Sequence, residues 1–293
     1  MIEPALDAVR ARAPGGVEVL AVNGALDLQT VDFLVPSSES PAALEQLPGL
    51  DRVSVVQVLS AGTDWIEGRL PPQATLCSAR GARDGPVAEW VVGALLGVTT
   101  ELLRCARLKS WSRRSLTDLA DWTVVIVGMG SIGRRVAQYL RAFGTEVIGV
   151  ASRARDDLHG IDELETLLPR ADAVVVLVPL TDATRGLIGA RELSAMRDGA
   201  VLVNAARGPV VDTDALLSEV GAPRLRAVLD VTDPEPLPDG HPLWTAPGVL
   251  SITPHIAGDS ALGNARAADL AGDQLARWCA GEQLINIVRA GSG

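Results

Sequence analysis

Three glycines follow the short apolar run Val124–Val127 with the spacing G-x-G-x-x-G. In such a turn the first glycine lets the chain reverse, the second lets backbone approach a pyrophosphate, and the third lets helix pack on strand. Ser131 and Ile132 open the helical pattern that comes next, and a helix N-terminus attracts phosphate. The stretch predicts a dinucleotide site rather than a ligand-free glycine turn. The glycines are Gly128, Gly130 and Gly133.

The end of the second predicted strand carries no acid. NAD-binding sites place a carboxylate about 20 residues beyond the glycine motif to hold the ribose 2′-hydroxyl. Here Val150 is followed by Ser152, Arg153 and Arg155, and the nearest acids, Asp156 and Asp157, come a few residues later. A hydroxyl and two guanidinium groups suit a 2′-phosphate, so the sequence favours NADP(H). The alternative is that the arginines are solvated and NAD(H) binds.

Further polar residues follow other predicted strands, and these are Thr181, Arg207, Asp230, Glu235 and His255. In open parallel sheets the ligands bind at the carboxyl ends of the strands. We therefore expect these side chains to share one edge of the sheet.

Near the N-terminus, an apolar run ends in a loop of small residues, Ser60-Ala61-Gly62-Thr63. Amide N–H groups at Ala61 and Gly62 can hold a carboxylate. The alternative is an ordinary glycine turn.

The elements that must position these residues form two groups. From Thr123 onward strands alternate with helices, which is typical of a doubly wound parallel sheet. Residues 1–80 predict a smaller α/β unit with a parallel sheet. A helix of about 259–281 and the run Leu284–Val288 are expected to return to that unit. The strands predicted in 1–80 are Val17–Val22, Phe33–Val35, Val53–Leu59 and Thr75–Cys77.

A long apolar helix is predicted between the two groups, from Asp84 to about Leu108. It is apolar nearly all round through Val98, so more than one neighbour must bury it. It can link two domains and pack against a second subunit, or be buried within one chain.

Composition limits the partners. The 293 residues include 26 Lys+Arg and 36 Asp+Glu, a net charge of −10, which argues against nucleic-acid binding. The run Val87–Val98 is too short to cross a bilayer, and the N-terminus lacks the pattern of a signal peptide. Cys77, Cys105 and Cys279 match no metal-ligand spacing and are expected to be reduced core thiols of a cytoplasmic protein.

Several motifs in a fixed order resemble the D-isomer-specific 2-hydroxyacid dehydrogenase family over nearly the whole chain. Besides the glycine turn, they are Ser60–Asp64, Gly85-Pro-Val-Ala-Glu89, Val178-Pro-Leu-Thr181-x-x-Thr184, Asn204-Ala-Ala-Arg-Gly208, Asp230-x-x-x-Pro-Glu-Pro-Leu-Pro238 and Pro254-His-Ile-Ala-Gly258. The resemblance implies a doubly wound parallel Rossmann domain inserted in a smaller flavodoxin-like α/β substrate domain. We place the substrate domain at residues 1–92 and 264–293, and the dinucleotide-binding domain at 93–263.

The resemblance also implies the catalytic residues. Arg207 would grip the substrate carboxylate and the 2-oxo oxygen with its fork of donors. His255 would exchange a proton with that oxygen, and Glu235 would orient the ring and favour the imidazolium. Asp233 is a less favoured alternative to Glu235.

Other residues receive binding or structural roles. Asp230 resembles the residue that holds the nicotinamide carboxamide, or else caps its strand, while His159 and His241 are taken as structural. The substrate contacts expected are Ala61, Gly62 and Arg207. The cofactor contacts expected are Gly128, Gly130, Ser131, Ile132, Gly133, Ser152, Arg153, Arg155, Val178, Pro179, Thr184, Ala205, Asp230, His255 and Gly258.

The activity implied is reduction of a small 2-oxo acid, such as glyoxylate or hydroxypyruvate, to the D-2-hydroxy acid, with NADP(H) preferred, NAD(H) possible and no metal. Formate- or phosphite-oxidising members are alternatives, and Glu235 argues against the formate type. A nucleotide-sensing interaction module without turnover is another. A redox-silent Rossmann domain does not explain Arg207, Glu235 and His255 together. The family also implies a homodimer.

Overall fold

A computed structural model describes residues 2–21, 28–37, 41–108, 111, 113–222 and 224–292. The chain forms two compact units. One comprises Met1–Arg83 and Asp259–Gly293, and the other comprises Asp84–Gly258. Within the described ranges no helix is long and apolar enough to cross a membrane.

The helices are α1 (Ile2–Arg12), α2 (Pro41–Gln46), α3 (Asp84–Thr99), α4 (Leu102–Arg107), α5 (Ser131–Ala142), α6 (Leu164–Leu167), α7 (Ala190–Ala195), α8 (Thr213–Gly221) and α9 (Ala261–Cys279). The strands are β1 (Phe33–Leu34), β2 (Val55–Gln57), β3 (Thr75–Cys77), β4 (Thr123–Val127), β5 (Glu146–Ala151), β6 (His159–Gly160), β7 (Ala173–Val176), β8 (Val201–Asn204), β9 (Arg226–Leu229), β10 (Val249–Ile252) and β11 (Ile287–Arg289).

The larger unit contains a seven-stranded parallel sheet in the order β10-β9-β8-β7-β4-β5-β6. Every residue of β7 and β8 is buried, as expected when helices cover both faces of a parallel sheet. Side chains alternate between two cores along β4: Val125 packs on one face, and Val124 and Ile126 pack on the other. The predicted doubly wound sheet is confirmed.

The smaller unit contains a second, mixed sheet in the order β1-β2-β3-β11. The first three strands are parallel, and β11 pairs antiparallel with β3, with Ile287 opposite Cys77. The predicted return of the C-terminal run to this unit is confirmed, but the sheet is not all-parallel. No sequence pattern predicted α1. It packs against α9, where Gly272 leaves room for the Ala8 carbonyl and the Arg12 side chain.

Several predicted elements differ from those observed. Residues 17–21 form no strand, and Val22 lies outside the described residues. The predicted helix up to Leu108 is interrupted, because Glu101 adopts a left-handed conformation (φ 60°) between α3 and α4. The predicted helix Ile161–Leu168 is a short α6 flanked by 3₁₀ turns, and β6 was not predicted.

The limits of the units lie at 83/84 and 258/259, whereas the sequence analysis places the domain boundaries at 92/93 and 263/264. The first half of α3 accounts for the difference at the first boundary. It packs with α5 and β4 in one core of the larger unit, where Ala88 and Val91 are fully buried.

Candidate active site

The glycine turn lies between β4 and α5 at the centre of the larger sheet. Gly128 has φ 112°, and a Cβ there would lie 2.7 Å from the Leu177 carbonyl carbon. A Cβ on Gly133 would collide with the Gly128 carbonyl oxygen, so this glycine lets α5 pack closely. Gly130 faces open space and precedes the first turn of α5, where Ser131 lies. The turn therefore leaves a cradle for a phosphate at a helix N-terminus.

At the end of β5 the chain makes an exposed excursion. Ser152, Arg153 and Arg155 are exposed, and no carboxylate of the described residues forms an ion pair with either arginine. Two backbone hydrogen bonds between Arg155 and Leu158 close a turn, and Asp156 and Asp157 lie at its tip. In the structure, as in the sequence, no acid directly follows β5. Ser152, Arg153 and Arg155 therefore fit a cofactor with a 2′-phosphate.

Arg207 follows β8 in a loop held by a buried side chain. The Asn204 amide nitrogen donates to the Arg207 carbonyl (3.1 Å), and its Oδ1 accepts from the Ala206 N–H (3.1 Å). Arg207 is half-buried and donates from Nη1 to the Ala206 carbonyl (2.8 Å). A Cβ on Gly208 would overlap the Thr232 carbonyl, so the Arg207 loop lies directly against the loop after β9.

Glu235 and His255 form the pair that the sequence suggests. Nδ1 of His255 lies 2.6 Å from Oε1 of Glu235, and the side chains are 45% and 39% exposed. Burial raises the pKa of Glu235, but the hydrogen bond and charge of His255, a Thr232 backbone hydrogen bond and the Arg207 charge outweigh it. The pKa therefore lies below its ordinary value, and Glu235 is ionised at neutral pH. With Nδ1 engaged, Nε2 of His255 is the ring atom left for a substrate.

Asp230 holds the segment that presents His255. Its side chain is 3% exposed. Its Oδ1 accepts from the Thr253 hydroxyl (2.6 Å) and the Ile256 N–H (2.9 Å), and its Oδ2 accepts from the Ala257 N–H (2.9 Å). His255 itself has φ 56°, a left-handed conformation that these bonds maintain. Of the two roles weighed for Asp230, these contacts correspond to the cap, and they give Thr253 a supporting role that the sequence analysis missed.

The remaining predicted cofactor residues in this unit follow β7, β8 and β10. Val178 and Pro179 follow β7, and the Thr184 hydroxyl donates to the Pro179 carbonyl (2.6 Å) and accepts from the Thr181 N–H (2.8 Å). Ala205 follows β8, and Gly258 is the last residue of the unit. The Thr184 side chain thus closes its own loop, which was not foreseen.

Ala61 and Gly62 belong to the smaller unit, in the loop after β2. The Ser60 hydroxyl donates to the Gly62 carbonyl (2.6 Å), and the Trp65 indole N–H donates to the Ser60 hydroxyl (3.2 Å). No carbonyl among the described residues accepts from the amide N–H of Ala61 or Gly62. Both amides are therefore available to an anion.

The other two histidines have local partners. Nδ1 of His241 accepts a hydrogen bond from the Leu243 N–H (3.3 Å) at the start of a 3₁₀ turn. His159 pairs with Glu163 (2.8 Å between Nδ1 and Oε2).

A doubly wound sheet with this turn on its central strand is typical of dinucleotide-binding proteins. A histidine–carboxylate pair at the same edge adds acid–base chemistry, so the class is that of nicotinamide-dependent dehydrogenases. Comparison with known proteins agrees. A family profile described as "D-isomer specific 2-hydroxyacid dehydrogenase, NAD binding domain" matches residues 94–257.

Relatives match along most of the chain. A glyoxylate reductase of Thermofilum pendens is 33% identical over 259 residues, 81% of this chain and 75% of the relative. A D-isomer specific 2-hydroxyacid dehydrogenase of Xanthobacter autotrophicus, solved with NADPH and MES, has a TM-score of 0.83 at 28% identity, with 99% and 96% of the chains covered. An NADPH-dependent glyoxylate/hydroxypyruvate reductase of Sinorhizobium meliloti, solved with NADP and sulfate, has a TM-score of 0.83 at 28% identity, covering 100% and 97%.

The chain belongs to the D-isomer specific 2-hydroxyacid dehydrogenase family and is an oxidoreductase. The family interconverts small 2-oxo and 2-hydroxy acids with a nicotinamide cofactor.

The Glu235–His255 pair generates a prediction about protonation. In His255→Gln the Glu235 carboxylate loses the charge of His255 and the hydrogen bond from its ring, both of which lower the pKa of Glu235, so that pKa should rise. Titration of the side-chain carboxyl carbons by NMR measures this directly. His159→Gln is the matched control and should raise the pKa of Glu163 but not that of Glu235. An unchanged Glu235 titration in His255→Gln would show that the pair is not electrostatically coupled.

Proposed function

We propose that this protein reduces a small 2-oxo acid, such as glyoxylate or hydroxypyruvate, to the D-2-hydroxy acid with NADPH. The observation that carries this is the 2.6 Å contact between His255 Nδ1 and Glu235, made where the Arg207 charge also acts on Glu235. A cation for the carboxylate and a proton donor for the oxygen thus lie in adjoining loops of one unit. The names of the Thermofilum and Sinorhizobium relatives support the substrate class.

Arg207, His255, Glu235 and Asp230 have separate roles in the proposed reaction. The Arg207 guanidinium binds the substrate carboxylate and polarises the 2-oxo oxygen. When bound, the cofactor supplies the hydride that adds to the carbonyl carbon. His255 donates the proton from Nε2 to that oxygen, leaves the step neutral, and is reprotonated from solvent. Glu235 stabilises the imidazolium before transfer, and Asp230 holds the ring in place through the backbone around it.

The test is reduction by variants at the two groups proposed to touch substrate. Arg207→Gln and His255→Gln should each lower kcat/KM for glyoxylate and hydroxypyruvate by about 10²–10⁴-fold, and the NADPH dissociation constant should change little. His241→Gln is the control, since that ring caps a 3₁₀ turn. Full activity in either variant would overturn the assignment. Tight NADPH binding with no turnover of any 2-oxo acid would support a nucleotide-sensing module instead.

The preference for NADPH is proposed from the end of β5. Ser152 is followed by two exposed arginines with no ion-pair partner among the described residues, and no carboxylate occupies the position that would hold a 2′-hydroxyl. Structural relatives that contain NADPH or NADP support the choice.

Removing Arg153 tests this preference. Arg153→Ala should raise the NADPH dissociation constant about tenfold or more, since a charge-assisted contact to phosphate is lost. It should leave NADH binding unchanged. Arg141→Ala, an exposed arginine in the last turn of α5, is the matched control. Equal effects on both cofactors, or none, would refute the preference.

We also propose that two copies associate through the larger unit. Val92 and Leu96 of α3 line an apolar groove of about 340 Å³ with Tyr139 and Phe143 of the α5 region. Between α3 and β4, four large apolar side chains of the described residues are exposed, and Trp111 is 98% exposed. The four are Leu102, Leu108, Trp111 and Leu116. In a dimer with two-fold symmetry, the apolar segment of each copy can cover the groove of the other.

Light scattering tests the dimer. The unsubstituted protein should have a mass of about 61 kDa, twice 30.6 kDa, and Trp111→Glu with Leu116→Glu should reduce it to the monomer mass because charge would be buried at the interface. Leu262→Glu, an exposed position of the other unit, is the control. A monomeric unsubstituted protein would refute the proposal.

The three cysteines are unpaired thiols, but the prediction that all lie in a core is wrong for two of them: Cys77 is buried, whereas Cys105 and Cys279 are exposed. Exposed thiols suit a reducing compartment, which supports the cytoplasmic location that the sequence suggests.

A further inference from the structure

A second histidine–carboxylate pair lies away from the catalytic pair, in the same unit. Nδ1 of His159 is 2.8 Å from Oε2 of Glu163, and Oε1 of Glu163 accepts from the Gly160 N–H at 2.9 Å. The His159 hydrogen bond, and after it the Gly160 hydrogen bond, hold the pKa of Glu163 below its ordinary value. Glu163 is therefore a fixed carboxylate. It engages one ring nitrogen of His159, as Glu235 does for His255, and leaves Nε2 for another partner.

The position of this pair is set by strand pairing. β6 lies beside the end of β5, with His159 opposite Val150 and Gly160 opposite Ala151. Adjacent parallel strands are about 4.8 Å apart, and register partners point to the same face. The chain leaves β5 at Ser152 and returns to β6 at His159, after the turn closed by Arg155 and Leu158. His159 therefore lies beside the strand end where Ser152 and Arg153 begin.

The charges around His159 come from two segments. Glu163 and Asp162 follow it, and Glu163 is occupied by the ring and by the Gly160 N–H. Asp162 packs against Gly160, where a Cβ would collide with its Oδ1. The excursion after β5 carries Arg153 and Arg155, with Asp156 and Asp157 at the tip of its turn. β5 itself contributes only the apolar Val150 and Ala151 beside the ring.

The His159 side chain is 42% exposed, so the ring is accessible from solvent. A nicotinamide dinucleotide seated on the glycine turn places its adenosine ribose at the end of β5. The segment that carries Arg153 and Arg155 lies close to β6, since a Cβ on Gly160 would be 3.2 Å from the Ala154 nitrogen. A doubly charged phosphate there would meet two guanidinium groups, with the His159 ring on the neighbouring strand.

We propose that His159, held by Glu163, is a specificity-determining residue that contacts the 2′-phosphate of NADP(H) through Nε2. With a carboxylate at Nδ1 and a phosphate at Nε2, the ring donates a hydrogen bond from each nitrogen. This rests on the proposed preference for NADPH and adds a third group to the two arginines. NAD(H), which lacks the phosphate, does not make the contact.

The test is a calorimetric measurement of the NADP⁺ and NAD⁺ dissociation constants for the unsubstituted protein and for His159→Gln at one pH. The variant should bind NADP⁺ about tenfold more weakly, since a charge-assisted contact to the phosphate is lost. NAD⁺ should bind both proteins equally.

Two further variants separate a charge contact from a structural effect. His159→Lys places a cation at the site and should bind NADP⁺ more tightly than His159→Gln. Glu163→Gln should weaken NADP⁺ binding, because the ring loses the carboxylate that engages Nδ1. His241→Gln is the matched histidine control and should change neither cofactor.

The outcomes distinguish the role of His159 from the NADPH preference on which it rests. Equal NADP⁺ binding by His159→Gln and the unsubstituted protein, with Arg153→Ala still defective, would overturn the role of His159 and leave the NADPH preference standing. Equal losses for NADP⁺ and NAD⁺ in His159→Gln would also overturn it, because they would show a structural effect. If Arg153→Ala does not discriminate between the cofactors either, the NADPH preference itself fails.

Discussion

The hydrogen bonds to the buried carboxylate of Asp230 are the interactions on which the geometry of the Glu235–His255 pair depends. The carboxylate lies at the end of β9 and accepts hydrogen bonds from the Thr253 hydroxyl and the Ile256 and Ala257 amides. A buried carboxylate without donors is costly, so its partners are constrained to remain in place. The left-handed His255 lies within the segment that these bonds fix, and from there it reaches Glu235.

Close backbone approach provides the second constraint. Gly208 has no space for a Cβ because the Thr232 carbonyl lies against it, and Gly133 has none because the Gly128 carbonyl does. The first contact brings the Arg207 loop against the loop that carries Glu235. The second sets the N-terminus of α5 at the end of the central strand. Both contacts lie at the carboxyl edge of one parallel sheet. The loops meet there because each strand of the sheet is followed by a connection that starts at this edge.

The two histidine–carboxylate pairs have the same local geometry but lie at different places in the larger unit. In each pair a glutamate engages Nδ1, so the ring is oriented and Nε2 is left for another group. His255 is presented from a strained turn next to the Arg207 loop, whereas His159 is presented from an edge strand beside the end of β5. In the sequence, His159 follows the charged segment Arg153–Asp157, whereas His255 lies between Pro254 and Ile256. Their neighbours in the fold give them different partners.

Much of this could be predicted from residue types and spacing. Local sequence patterns can be interpreted because backbone geometry acts over a few residues. They include the glycine turn, the alternation of strands and helices, the missing acid after β5 and the candidate residues Arg207, Glu235 and His255. Only the tertiary structure decided the rest. It showed that Asp230 caps the His255 segment, that α1 packs on α9, that β11 is antiparallel, and that His159 lies opposite Val150 near the end of β5. These features depend on contacts between residues distant in sequence, whose energies come from burial and pairing that no short stretch of the chain encodes by itself.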